Sequence, residues 1–185
     1  MNISHSSQPS IVEYPNAFTD EECDTIVRIF EDNASSVERL ERNKTAQFSQ
    51  LNWTALCTME DYHQRTAEKT RSFFKAYVET NFHAKAFPNE CGFEQLRVKR
   101  YSMATQDEFD WHVDVGDHAS ARRFLAGFVY LNTVEVGGTT EFDSVTIKAE
   151  KGKMVIFPPT WQYPHRGTAP ISNDKYIMST YLHYL

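Results

Sequence analysis

Phe109-Asp110-Trp111-His112-Val113-Asp114-Val115-Gly116, read together with the distant Pro164-His165-Arg166-Gly167, decides what this chain is built around. His112 and Asp114 are separated by one residue. In a strand that spacing puts both side chains on one face, so an imidazole and a carboxylate converge on one point. His165 supplies a second imidazole. Two histidines and a carboxylate can cap one triangular face of an octahedral metal and leave three positions open. That arrangement suits non-haem Fe(II), which must take up a co-substrate and O₂. Alone, a His-x-Asp triplet also arises by chance, and most of the seven histidines are ordinary surface or core residues. The surrounding sequence has to carry the assignment.

The chain has 185 residues, enough for one domain with a real core, and we read 1–185 as a single unit. Apolar residues make up 41% and charged residues 24%, a globular rather than disordered composition. Net charge is −6 and basic residues do not cluster in sequence, so binding to nucleic acid through a basic patch is not suggested. Three scattered cysteines, Cys23, Cys57 and Cys91, have neither zinc spacing nor a disulfide framework, which points to a reducing, cytoplasmic setting. The N-terminus is polar, and no stretch is long and apolar enough to span a bilayer.

Helices are expected first, over about 19–81. Thr19-Asp20-Glu21-Glu22 reads as a capping box. The helix after it carries Cys23, Ile26, Val27 and Phe30 as one apolar stripe and should end near Asn33. Residues 34–57 look polar and irregular, with Phe48, Leu51 and Trp53 as anchors; they read as a surface connection or as a loop over a site. Thr58-Met59-Glu60-Asp61 offers a second cap, for a helix running to about Asn81 with Tyr62, Phe73, Phe74, Tyr77 and Val78 inward.

From about residue 93 the period changes to 2. Strands are expected at Ile11–Tyr14, Gln95–Tyr101, Arg122–Leu131, Val145–Lys148, Lys153–Phe157 and Lys175–Tyr184. Helices followed by strands indicate an α+β protein with helices supporting one face of a largely antiparallel sheet.

Three further segments make the pattern specific. They are Tyr130-Leu131-Asn132 followed by Gly137-Gly138-Thr139-Thr140-Glu141-Phe142, then Lys151-Gly152-Lys153-Met154-Val155-Ile156-Phe157, and His165 followed ten residues later by Lys175. From Glu94 onward the chain resembles the prolyl 4-hydroxylase branch of the Fe(II)/2-oxoglutarate dioxygenases. The resemblance implies a double-stranded β-helix, a jelly-roll core over about 93–185, with N-terminal supporting helices. It implies Fe(II) held by His112, Asp114 and His165, 2-oxoglutarate as co-substrate with O₂, and ascorbate as a candidate reductant. Lys175 would bind the far carboxylate of 2-oxoglutarate. Tyr101, Tyr130 and Thr140 match cofactor-contacting positions.

Glu94 lies seven before Tyr101, Arg123 seven before Tyr130, and Tyr181 and His183 six and eight after Lys175. In peptide-hydroxylating members, similar offsets line the substrate groove. Tyr181 stands where those members carry Trp, and Phe109 where many carry Tyr. The implied reaction is oxidative decarboxylation of 2-oxoglutarate coupled to hydroxylation, with a proline in a peptide or protein as the substrate. Hydroxylation of a free amino acid or another small molecule is the alternative on the same scaffold. Nucleic-acid demethylation is disfavoured, because no arginine follows Arg166.

Overall fold

The computed structural model describes residues 4–5, 10–42, 45–56, 60–80 and 86–185. Two helices, α1 (Asp20–Asp32) and α2 (Glu60–Thr80), accompany strands that begin with β1 (Ser4–His5), β2 (Val12–Tyr14), β3 (Glu38–Arg42) and β4 (Ala46–Asn52). After α2 come β5 (Gly92–Phe93), β6 (Arg97–Tyr101), β7 (Phe109–His112), β8 (Arg123–Tyr130) and β9 (Thr140–Phe142). The last are β10 (Thr146–Ile147), β11 (Met154–Phe157), β12 (His165–Gly167) and β13 (Lys175–His183). Hydrogen bonding joins them in the order β1-β2-β11-β8-β13-β6-β4-β7-β12-β9-β10, with β3 beside β4 and β5 beside β13.

The central strands are apolar on both faces because each face has its own core. From β8, Leu125 and Val129 point to the helices; Ala126, Phe128 and Tyr130 point into the barrel. β11 divides in the same way, Met154 and Ile156 outward and Val155 and Phe157 inward. The helices bring Cys23, Ile26, Ile29 and Phe30 from α1, and Phe73, Phe74 and Tyr77 from α2, to the outer core. Gly127 permits this close approach, since a Cβ there would lie 2.6 Å from the Phe74 ring.

The expected capping box of α1 is present. Thr19 Oγ1 accepts from the Glu22 amide at 3.2 Å, and Glu22 accepts from the Thr19 amide at 2.7 Å. Such a cap contributes about 1 kcal/mol. The expected second cap at Thr58-Met59 and the helix end at Asn81 lie outside the described residues.

The N-terminal part is not purely helical, as the sequence pattern suggested. Residues 34–57 contain the β3–β4 hairpin, and β4 sits within the sheet between β6 and β7. β4 is rich in Gln, Ser and Asn, so it reads as a solvated stretch. Its place follows from backbone pairing to β6, with Phe48 and Leu51 buried on opposite sides. β9 and β12 were also not expected, because three residues are too few to show a period. β7 stops at His112, so Asp114 lies in a bend beyond the strand rather than two positions along it.

One ion pair ties the hairpin to the turn before β7. Arg39 Nη2 donates to Asp107 Oδ1 at 2.7 Å, and Asp107 is fully buried. Burial alone would raise the Asp107 pKa. Hydrogen bonds from Arg39, the Ser102 amide and the Thr105 hydroxyl outweigh it and hold the carboxyl below its ordinary value. A depressed folded-state pKa gives stability that is present above the unfolded carboxylate value and lost as pH falls through the folded one. We expect Asp107→Asn to cost about 1–3 kcal/mol at neutral pH, because an amide nitrogen would face the guanidinium. In urea melts the deficit should shrink as pH drops below about 4; a deficit independent of pH would remove the carboxylate from this account.

Candidate functional site

The ends of β7 and β12 meet directly, with His165 opposite His112 in register. The bend after β7 turns Asp114 back toward both. Asp114 Oδ1 lies 3.9 Å from His112 Nε2, and Oδ2 lies 3.6 Å from His165 Nε2. Among the described residues these three form a group whose ligand atoms all lie within 4.8 Å of one another. Each ring is oriented through its other nitrogen. His112 Nδ1 sits 2.7 Å from the Asp110 carbonyl and His165 Nδ1 3.1 Å from the Tyr163 carbonyl. With Nδ1–H donating there, both Nε2 lone pairs face the shared space, the tautomer that a metal requires.

Aromatic walls fix these rings further. Phe109 stacks on His112 with centroids 3.5 Å apart and planes 4° from parallel. Phe157 and Phe142 flank His165 at 4.9 and 5.3 Å. Burial, with the second imidazole beside it, lowers the His112 pKa to about 4 despite the nearby Asp114. His112 is therefore neutral at physiological pH, as a ligand must be.

Behind the triad lies a cavity of about 60 Å³, lined among others by Tyr101, Thr140 and Lys175. Lys175 is 2% exposed and has no carboxylate partner among the described residues. Its ammonium reaches only the Thr168 carbonyl at 3.4 Å and the face of Tyr101 at 4.4 Å. Burial lowers its pKa to about 7. A buried cation in this state is stabilised by an incoming anion. The far carboxylate of 2-oxoglutarate fits that need, and the His/Asp/His set fits Fe(II). Tyr130 does not line the cavity. Its hydroxyl donates to Thr140 Oγ1 at 2.6 Å, so it acts through Thr140 and leaves the Thr140 proton free to point inward.

Outside the triad an open groove of about 460 Å³ runs past Phe48, Glu94, Arg123 and Tyr181. These are not independent contacts. Arg123 makes a two-pronged pair with Glu94, at 2.8 and 2.9 Å, reaches the Asp114 carbonyl at 3.3 Å, and lies 3.9 Å over the Tyr181 ring. Tyr181 in turn donates its hydroxyl to Asp114 Oδ1 at 2.8 Å. Burial, then the charge and hydrogen bond of Asp114, hold the Tyr181 pKa well above its ordinary value, so it remains a donor.

His183, expected in the groove, does not line it. β13 shifts register against β8 between Leu182 and His183. The imidazole packs over Gly92, where a Cβ would lie 2.1 Å from Nε2, with Nδ1 3.8 Å from Glu94. Sequence reading missed Lys99, which lines both the cavity and the groove. Alternation along β6 from Tyr101 was the signal that could have found it.

Comparison with known proteins agrees with this geometry. Residues 96–183 match the model of the 2OG-Fe(II) oxygenase superfamily. No curated protein gives a significant match. Solved structures do. The viral collagen prolyl hydroxylase vCPH of Paramecium Bursaria Chlorella virus-1, in its 2OG complex, superposes with TM-score 0.71 at 18% identity, over 98% of this chain and 100% of that one. A Pseudomonas putida prolyl-4-hydroxylase gives 0.75 at 11%, over 97% and 95%. A Trichoplax adhaerens prolyl hydroxylase, in complex with a hypoxia inducible factor oxygen degradation domain peptide fragment, gives 0.74 at 12%, over 96% and 84%. Residues 96–183 thus carry the similarity to that superfamily, and the chain has the jelly-roll fold of these structures. Among the described residues, no helix is long and apolar enough to cross a membrane.

The Tyr181 hydrogen bond holds Asp114 Oδ1 and leaves Oδ2 turned toward His165. Tyr181→Phe should therefore lower Co(II) affinity by about tenfold to a hundredfold, the usual cost of losing a group that orients a ligand. His165→Ala should lower it further. Titration of the cobalt absorption bands measures both, and equal affinity of Tyr181→Phe and the parent protein would show that Asp114 is held without the phenol.

Proposed function

We propose that the protein is an Fe(II)- and 2-oxoglutarate-dependent prolyl 4-hydroxylase that acts on a proline within a peptide or protein. The observation that carries the reading is the buried, carboxylate-free Lys175 in a cavity whose other end is the His112, Asp114 and His165 cluster. A short dicarboxylate with one end on the cation and the other at the triad satisfies both. The peptide part of the reading rests on the open groove and on the similar folds, two of whose names specify a collagen or a peptide.

In this reading His112 Nε2, Asp114 and His165 Nε2 hold the metal, and Lys175 with Tyr101 and Thr140 holds the co-substrate. Bound Fe(II) and 2-oxoglutarate, with O₂, supply an oxidant able to break an unactivated C–H bond. The remaining work belongs to the side chains. Phe109, Phe142 and Phe157 keep the imidazoles from turning and exclude water from their ring faces. Tyr181 keeps its proton and fixes one Asp114 oxygen. Arg123 spends three N–H groups on Glu94 and the Asp114 carbonyl, which leaves two for a peptide carbonyl. A substrate held there would have one C–H at the triad, and such positioning is the main lever a protein has over this chemistry. Ascorbate would serve as an added reductant.

Incubation of the protein with Fe(II), ascorbate, 2-oxoglutarate and a proline-containing peptide library should give succinate in step with a mass gain of one oxygen on proline. Efficient hydroxylation of free proline, with peptides left untouched, would favour the small-molecule reading instead. Lys175→Ala should weaken 2-oxoglutarate binding about ten- to a hundredfold, the value of one charge-assisted contact. Metal affinity should be nearly unchanged in that variant, and unaltered 2-oxoglutarate affinity would place the far carboxylate elsewhere.

A further inference from the structure

We propose that Arg97 and Lys99 form an anion-recognition row that takes acidic side chains of the substrate peptide, next to the residue presented to the triad. This rests on the reading of the outer groove as the peptide site.

Alternation along β6 puts Arg97, Lys99 and Tyr101 on the face that looks into the barrel, while Leu96 and Val98 enter the outer core. Successive members of such a row are about 6.6 Å apart. Tyr101 is deepest, beside Lys175 in register. Lys99 follows, between Ile177 of β13 and Gln50 of β4, and Arg97 is outermost, between Ser179 and Asn52. None of these flanking residues is an anion.

Several cations elsewhere in the fold are paired. Arg39, Arg100, Arg123, Lys151, Lys153 and Arg166 each have a carboxylate within ion-pair distance. Lys99 and Arg97 have none among the described residues, in a chain of net charge −6. Lys99 lies over the Phe48 ring at 5.0 Å, and Arg97 donates to the neutral Gln95 side chain at 3.2 Å. The nearby carboxylates are committed: Glu94 to Arg123, Asp117 to Ser120, and Asp114 to Tyr181 and the triad.

Two unpaired cations side by side in a half-buried groove repel each other and are poorly hydrated. Burial, with Arg97 and Arg123 close by, lowers the Lys99 pKa to about 8 although Asp114 opposes it. An extended peptide has the same period as β6, so carboxylates on alternate residues match the row. The interior lysine would read the acid nearest the target, and the outer arginine the next. Charge complementarity thus selects an acidic segment rather than a neutral repeat.

The test uses Mn(II)-loaded full-length protein with 2-oxoglutarate and two fluorescein-labelled decapeptides, each with a central proline flanked by glutamates or by glutamines. Fluorescence anisotropy should show the glutamate peptide binding at least about tenfold tighter, with a strong salt dependence. Lys99→Met and Arg97→Gln should each remove several-fold of that preference. Thermal melts check that both variants fold, and Arg97 on the rim provides the test if Lys99→Met does not. Equal binding of the two peptides by the parent protein overturns the inference, even if proline in both is then hydroxylated under Fe(II). A glutamate preference that persists when proline is replaced by alanine, with no oxygen added to any proline, supports the row while removing the proline assignment. Weakened 2-oxoglutarate binding in Lys99→Met with peptide discrimination intact would assign the lysine to the co-substrate and overturn the proposal. A labelled ten-residue oligothymidylate bound as tightly as the glutamate peptide would overturn it as well.

Discussion

The antiparallel pairing of β8 with β13 is the constraint on which the rest depends. Register puts Ile177 beside Tyr130, Met178 beside Val129 and Ser179 beside Phe128. Because side chains alternate, this single ladder serves two cores. One face is sealed by α1 and α2, and the other forms the wall of the cavity. A slip of one residue would send Lys175 into the helix-packed core and Met178 into the cavity. Both faces are buried, so the register is strongly determined. The position of Lys175 relative to the triad is inherited from it.

That arrangement concentrates charge where water is scarce. Asp114 stands at the junction. One oxygen accepts from Tyr181, the other faces His165, and its backbone carbonyl takes a bond from Arg123. Glu94 offsets the Arg123 charge, so the wall beside Asp114 is neutral as a pair. Among the described residues Lys175 and Lys99 are left without such partners, both lining the cavity and Lys99 reaching the groove as well. Buried polar groups that the fold itself does not satisfy are where a ligand gains most on binding. The structural ion pairs elsewhere, such as Arg39 with Asp107, are satisfied and hold loops in place.

Tyr181 illustrates how one exchange rewires a site. A tryptophan at this position could pack against a substrate ring but could not donate to Asp114 from the same place. The phenol adds that bond and in doing so joins the groove wall to the His112, Asp114 and His165 cluster. The groove wall and the triad are then coupled through Arg123, Tyr181 and Asp114 rather than built separately.

Much of the site was legible from residue type and spacing. The capping box at Thr19 and the strand carrying Lys175 depend on local patterns, and local patterns survive in sequence; the grouping of His165 with His112 and Asp114 was implied by the family resemblance. The β-helix core was implied by the family resemblance of the segments around Tyr130, Gly152 and His165, whereas periodicity alone indicated only an antiparallel sheet with supporting helices. The polar strand β4 was not legible, since its place in the sheet is secured by backbone bonds to β6 that any side chains permit. Nor was the placement of His183, which turns on a register shift in β13. Tyr130 acting through Thr140, and Lys99 standing without an anion, likewise depend on which neighbours the barrel brings alongside. The sequence by itself supplied most of the secondary elements, through short-range periodicity, and the candidate site groups, through its resemblance to a known family, because residue types at fixed offsets are readable along the chain. Tertiary structure alone decided which charges are paired and which are left open to a ligand, because pairing depends on contacts between residues far apart in the chain.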